Sequence, residues 1–230
     1  MWRRARTHGT AQATWGRAPS PVQAERYVGR LFRGVRHGPR DRIRKVAMSN
    51  LFVISGGPGS GKTTVLAHLH ELGFRGAPEV ARQIIQEQVR LSGTALPWSD
   101  RVAYVRLMLQ QSIESYLAHA LEPGPTFFDR GIPDTLGYAR LIGLTDDGFI
   151  QDACRGYRYA PVLFLAPPWE EIYKTDNERR QDFAEAQRTS KQLADVYGEC
   201  GYEIVELPKT TPAARANFIL QQLHLDRYTF

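Results

Sequence analysis

The chain predicts an α/β fold with a largely parallel sheet, on two observations. Short apolar strand-like runs alternate with stretches of helical periodicity from residue 48 onward. The first of those runs, LFVIS at residues 51–55, feeds directly into GGPGSGKT at residues 56–63. A strand delivering its chain into a glycine-rich loop and then a helix is the local arrangement that binds phosphates.

Taken in order, Leu51 to Ser55 is the first strand and Lys62 to Leu72 the helix behind it. An extended piece, Phe74 to Pro78, leads into a helical stretch from Val80 to Ser92. Asp100 to Ala120 carries Val102, Val105, Leu109, Ile113 and Tyr116 three or four apart, which predicts one apolar helix face with Ser99 or Asp100 as its cap. Thr126 to Asp129 is the third strand, followed by helices over Pro133 to Ile142 and Asp146 to Tyr157. Val162 to Leu165 is the fourth strand, stopped by Pro167 and Pro168. Beyond the polar stretch Thr175 to Asp182, a helix carries Phe183, Ala186, Ser190, Leu193 and Tyr197 at helical spacing. Tyr202 to Glu206 is the fifth strand and Pro212 to His224 the last helix, with Pro212 suited to its first turn.

Composition narrows the function classes. With 42% hydrophobic and 23% charged residues the chain has an ordinary globular composition, and no apolar run approaches the roughly 18 residues that cross a bilayer. Cys154 and Cys200 lie far apart in sequence without a zinc or disulfide pattern, which fits a reducing, cytoplasmic setting. The histidines are scattered, and His68 and His70, two apart, point to different sides of a helix and read as surface residues. The formal charge of +6 is unevenly spread: residues 1–47 hold eleven Arg and one Lys against Glu25 and Asp41, a net +10 that leaves the remainder at −4. No nucleic-acid partner is therefore expected for the folded domain at residues 48–230. The basic residues 1–47 read as a disordered extension, with three readings open: sequence upstream of a working start at Met48, a targeting segment, or a polyanion-binding arm.

The phosphate loop carries the strongest chemical signal. Backbone N–H groups must converge on phosphate oxygens, and side chains would block that approach, hence the glycines among Gly56, Gly57, Pro58, Gly59, Ser60 and Gly61. Lys62 can reach the β- and γ-phosphates, Thr63 can place its hydroxyl on Mg²⁺, and Thr64 continues the loop into the helix. FFDRG at residues 127–131 ends an apolar strand on Asp129, the position from which a carboxylate holds Mg²⁺ directly or through water. A switch GTPase would need glycine where Ile132 stands, and no Asn-Lys-x-Asp guanine-reading motif occurs. Asp129 with Arg130 resembles instead the Asp-Arg pair of nucleoside and nucleotide kinases.

Glu79 and Arg82 share one helical face at the edge where open α/β sheets bind ligands. Glu79 could accept a proton from an attacking hydroxyl, and Arg82 and Arg130 could hold an anionic acceptor; an ordinary intrahelical ion pair is the competing reading. Arg179 and Arg180 fall in a charged stretch that reads either as a lid closing on the transferring phosphoryl group or as a solvated helix face.

FVISGGPGSGKTT, PEVARQIIQEQ, FFDRGIPD, RYAPVLFLAPPWEEIYKTDNERRQDF and YEIVELPK together resemble the NadR-like grouping of AAA-type ATPases, relatives of the ribosylnicotinamide kinase domain among the P-loop kinases. The resemblance covers nearly all of residues 49–228 and excludes the basic arm. It implies a five-stranded parallel sheet flanked by helices on both faces, with the Asp129 strand beside the phosphate-loop strand. It also implies an arginine-bearing lid at Arg179 and Arg180, and a nucleobase contact at Pro208, Lys209, Thr210 and Thr211. It names no substrate, since relatives include metabolite kinases and a GTP-binding trafficking protein.

The expected function is a small-molecule kinase using ATP and Mg²⁺, with GTP also open, on a nucleoside, nucleotide or vitamin-like acceptor. The alternative is a slow ATPase or GTPase acting as a nucleotide-dependent switch, with Trp98 or Trp169 on a partner surface. An oligomeric AAA motor is the third and weakest reading.

Overall fold

In the computed structural model, residues 49–145, 147–173 and 182–225 are described, all of them within one unit spanning Pro39–Phe230. Five strands, β1 (Leu51–Gly56), β2 (Arg75–Ala77), β3 (Thr126–Asp129), β4 (Val162–Ala166) and β5 (Glu203–Glu206), form one sheet in the order β2-β3-β1-β4-β5. Every pairing is parallel, as helical crossovers between successive strands require. Among the described residues seven α-helices accompany them: α1 (Lys62–Glu71), α2 (Val80–Arg90), α3 (Arg101–His119), α4 (Ile132–Leu141), α5 (Gly148–Gly156), α6 (Phe183–Glu199) and α7 (Pro212–Gln222). A single 3₁₀ turn, Glu170–Ile172, follows β4; the prolines at 167 and 168 marked the strand's end but not this turn.

Alternation along each strand sends successive side chains to opposite faces, so the sheet needs cover on both. Helices α1 and α7 cover one face, where Val65, Leu69, Ala216, Ile219 and Leu220 pack with Ile54, Phe127 and Phe164 in one buried cluster. On the other face, α6 packs on β1 and on α4, which also contacts α3 and α5. Tyr197 and Leu193 of α6 are buried there, together with Ile132 and Leu136 of α4.

The helix starts follow their sequence signals. Asp100 accepts a hydrogen bond from the Ala103 amide at 2.9 Å, making it rather than Ser99 the cap of α3. Asp182 caps α6 through the Glu185 amide at 2.7 Å, and Thr211 caps α7 ahead of Pro212. The inward stripe of α3 is Tyr104, Val105, Met108, Leu109 and Ile113. Val102, expected on that stripe, is 43% exposed; at this end of α3 the buried side chains are Tyr104 and Val105.

Cys154 of α5 and Cys200 at the end of α6 are separated in sequence but meet in space, where the two free thiols share a hydrogen bond. That bond, with help from the Arg158 charge, brings Cys200 down to about 7, whereas the same bond and burial push Cys154 up. His70 is exposed and His68 half-buried with an ion pair to Glu71, so both belong to the surface. No described helix is long and apolar enough to cross a membrane.

Candidate active site

Register places the site. Ile54 pairs with Asp129, so the carboxylate at the end of β3 lies beside the point where β1 turns into the phosphate loop. This is the carboxyl edge of a parallel sheet, where open α/β folds bind their ligands. A cavity of about 2110 Å³ opens there, lined along one side by Pro58, Gly59, Ser60, Gly61, Lys62, Thr63 and Thr64. Its volume exceeds the roughly 300–1,000 Å³ of a single-ligand pocket, leaving space for a nucleotide and a second molecule. Gly56 and Gly57, expected in the binding set, lie beneath that lining and contribute their carbonyls to the site's cations.

Geometry requires glycine in this loop, as two positions show. Gly59 has φ of +71°, and a Cβ there would come within 2.6 Å of the Tyr173 ring; Gly61 has φ of +79°, with Arg215 Nη1 3.0 Å from its would-be Cβ. Lys62 donates from Nζ to the Gly56 and Gly57 carbonyls at 3.1 and 2.9 Å, so the loop's own oxygens occupy the ammonium. Burial, with the Arg130 charge adding to it, lowers Lys62 to about 8. Phosphates arriving beside it favour the charged form, so nucleotide binding near pH 9 should take up a proton that binding near pH 6.5 does not. Affinity then falls as pH rises through 8. Calorimetry in buffers of different ionisation enthalpy reads the uptake, and a buffer-independent enthalpy near pH 9 would contradict it.

Asp129 is 5% exposed, and its Oδ1 has no hydrogen-bond partner among the described residues; burial raises its pKa. Its Oδ2 lies 3.5 Å from the Thr63 hydroxyl. One carboxylate beside one hydroxyl fits a magnesium ion, which takes few protein oxygens and completes its shell with phosphates and water. Among the described residues no cluster of three His, Cys, Asp or Glu offers another metal site.

Arg130 sits at φ of +75°, an unfavourable conformation for a residue with a side chain, and its guanidinium ties the site together. It donates to Glu79 Oε1 at 2.9 Å, to the Gly56 carbonyl at 3.0 Å and to Asp134 Oδ1 at 3.1 Å. Burial alone would raise Glu79, but the Arg130 charge overrides it and holds the carboxyl at about 2. Arg82 pairs with the other Glu79 oxygen at 3.7 Å and also lines the cavity, so the intrahelical ion pair and the cleft position are both present.

Asp134 was not singled out in the sequence, although it stands four residues beyond Arg130. It is 4% exposed and accepts four hydrogen bonds: Ser55 Oγ at 2.5 Å and Arg130 on Oδ1, the Gly131 amide at 2.8 Å and the Tyr197 hydroxyl at 2.6 Å on Oδ2. Lys209, Thr210 and Thr211 line the cavity, while Pro208, expected with them, does not. Trp98 is 61% exposed at the cavity's rim and Trp169 is partly buried along it. Arg179 and Arg180 lie outside the described residues.

A family model described as an AAA domain matches residues 51–215. The chain belongs to this AAA domain family. Among solved structures it is similar to the NadR protein in complex with NR, at 17% identity and a TM-score of 0.61, over 89% of this chain and 59% of that one. It thus spans little more than half of that NadR chain. Thymidylate kinase from Ehrlichia chaffeensis is similar at 15% identity and a TM-score of 0.53, over 75% of this chain and 98% of that one. At such identities the likeness is one of fold. No curated protein matches the chain.

Proposed function

We propose that this AAA domain protein is a small-molecule kinase that transfers the γ-phosphate of ATP to a hydroxyl or phosphate of a nucleoside, nucleotide or vitamin-like acceptor. The observation that carries the reading is that one cavity runs from the phosphate loop to Glu79, Arg82 and Arg130. A simple hydrolase needs the loop and a positioned water but no second, arginine-lined lobe. The loop places the triphosphate with the γ-phosphate toward Lys62, and the acceptor enters between the ends of β2 and β3. Thr63 and Asp129 would hold Mg²⁺, which when bound neutralises charge on the β- and γ-oxygens.

Glu79 is ionised at any working pH and faces the acceptor lobe. A carboxyl held so low is a weak base, which suits a loose transfer in which the acceptor's proton leaves late and orientation matters more than early deprotonation. Arg130 keeps that carboxylate in place, and Arg82 offers an anion contact. Arg179 and Arg180 are proposed to close on the transferring group, and Lys209 and Thr210 to meet the nucleobase. GTP suits the same loop.

Glu79→Gln should lower acceptor-dependent turnover by roughly 10²-fold while ATP affinity stays within about threefold, because the side chain lies on the acceptor side. Turnover at the wild-type level would remove Glu79 from the mechanism. The second reading, a slow hydrolase acting as a switch, draws on exposed apolar side chains along the cavity, Val89 and Trp98, which would suit a nucleotide-dependent partner surface.

A further inference from the structure

Arg215, on the first turn of α7, is 2% exposed yet makes only one hydrogen bond among the described residues, from Nη1 to the Ser60 carbonyl at 2.9 Å. Its Nε and Nη2 are buried and have no partner among the described residues. Burial lowers its pKa, with no carboxylate among the described residues to offset it. Proteins seldom keep a buried guanidinium with two unanswered donors unless something else answers them. Arg215 also lines the large cavity together with Gly61, Thr64 and Thr211.

Its place on the loop says which part of a ligand it meets. Lys62 Nζ sits at the start of the loop, against the Gly56 and Gly57 carbonyls and near Arg130. Arg215 sits at the other end, where a Cβ on Gly61 would lie 3.0 Å from Nη1 and 3.6 Å from Thr64 Oγ1. In a trans peptide the N–H points opposite the C=O, so holding the Ser60 carbonyl from outside turns the Gly61 N–H toward the loop's interior. The lysine end takes the β- and γ-phosphates, which leaves the α-phosphate for the far end. Nε–H and Nη2–H form one side of the guanidinium fork, a donor pair matched to two oxygens of a phosphate.

We propose that Arg215 is a nucleotide-binding residue that holds the phosphate loop through Ser60 and, once nucleotide binding uncovers its Nε/Nη2 edge, offers that edge to the α-phosphate. The proposal rests on the reading above only in requiring a nucleotide on the loop.

The test uses the two phosphorothioate epimers of ATP, each with sulfur in place of one α-phosphate oxygen, with Mg²⁺ and the full chain. Wild-type protein should bind one epimer several-fold more tightly than the other. Arg215→Lys and Arg215→Gln should each weaken ATP about tenfold and bring the epimer ratio to within about twofold of one. Lys62→Ala, which acts at the other end, should weaken ATP and keep the ratio. Unchanged ATP affinity in the Arg215 variants, or a ratio that stays put while affinity falls, would overturn the proposal, the second outcome marking Arg215 as a structural support for Ser60. Should both variants fail to fold, wild-type protein decides: AMP must bind at least tenfold more tightly than adenosine, and equal binding rejects the α-phosphate contact. Folded wild-type protein that binds no ATP would bring down both the kinase reading and this proposal; phosphate transfer with an unmoved epimer ratio brings down this proposal alone.

Discussion

Lys62→Ala should weaken ATP·Mg²⁺ binding by roughly 10²-fold or more, about 3 kcal/mol, since it removes a charge-assisted contact to two phosphates. The same substitution should leave the empty protein about as stable as before. Lys62 gives up hydrogen bonds to Gly56, Gly57 and Ser60, but it is buried, and burial already lowers it to about 8. Removing a desolvated ammonium relieves a cost of similar size to the bonds lost. A fluorescent-nucleotide titration and a thermal melt read the two halves together. Unchanged nucleotide affinity would refute the phosphate-loop assignment, and a large fall in melting temperature would mean that the lysine's role is structural.

Asp134→Ala should have the largest effect on stability, roughly 3–5 kcal/mol, because four donors lose one buried acceptor at once. The Ser55 and Tyr197 hydroxyls, the Gly131 amide and one arm of Arg130 all converge on this carboxylate. For a domain of this size that corresponds to roughly 6–20 °C in melting temperature. Asp134→Asn keeps the shape and one carbonyl acceptor but turns an NH₂ toward donors, so it should recover only part of the loss. Below the melting transition, either variant should retain ATP binding through the loop while losing part of its acceptor-dependent turnover, because Arg130 loses one of the three groups that position it against Glu79. A melting temperature within about 2 °C of wild type would contradict the hub role.

The fold was legible because its signals are local. Each strand is a short apolar run ended by turn residues, and Gly57, Gly59 and Gly61 announce the phosphate loop within eight positions. Lys62, Thr63, Asp129, Glu79 and Arg82 could be placed at the sheet's carboxyl edge by counting from those strands. The contacts between them could not. Asp134 answers Ser55 across 79 residues, and Arg215 answers Ser60 across 155. No period or motif links such positions, and an aspartate or arginine on a helix reads as a surface charge until the packing buries it. Asp134 had a weak signal in its spacing from Arg130; Arg215 had none. The same limit explains Cys154 and Cys200, whose meeting depends on how α5 and α6 each pack on α4. It explains Val102 too, where helical spacing was correct but the packing at that end of α3 buries Tyr104 and Val105 instead.

Phosphate transfer to an acceptor is the account's central claim, and an ATP-turnover measurement with Mg²⁺ tests it most directly. ADP formation and the fate of the labelled γ-phosphate are followed together, with and without pooled nucleosides, nucleotides and vitamin precursors. The account predicts that ADP formation rises with one pool and that label appears on a component of that pool. Slow ADP formation indifferent to every pool, with all label released as inorganic phosphate, would contradict it and favour the nucleotide-dependent switch.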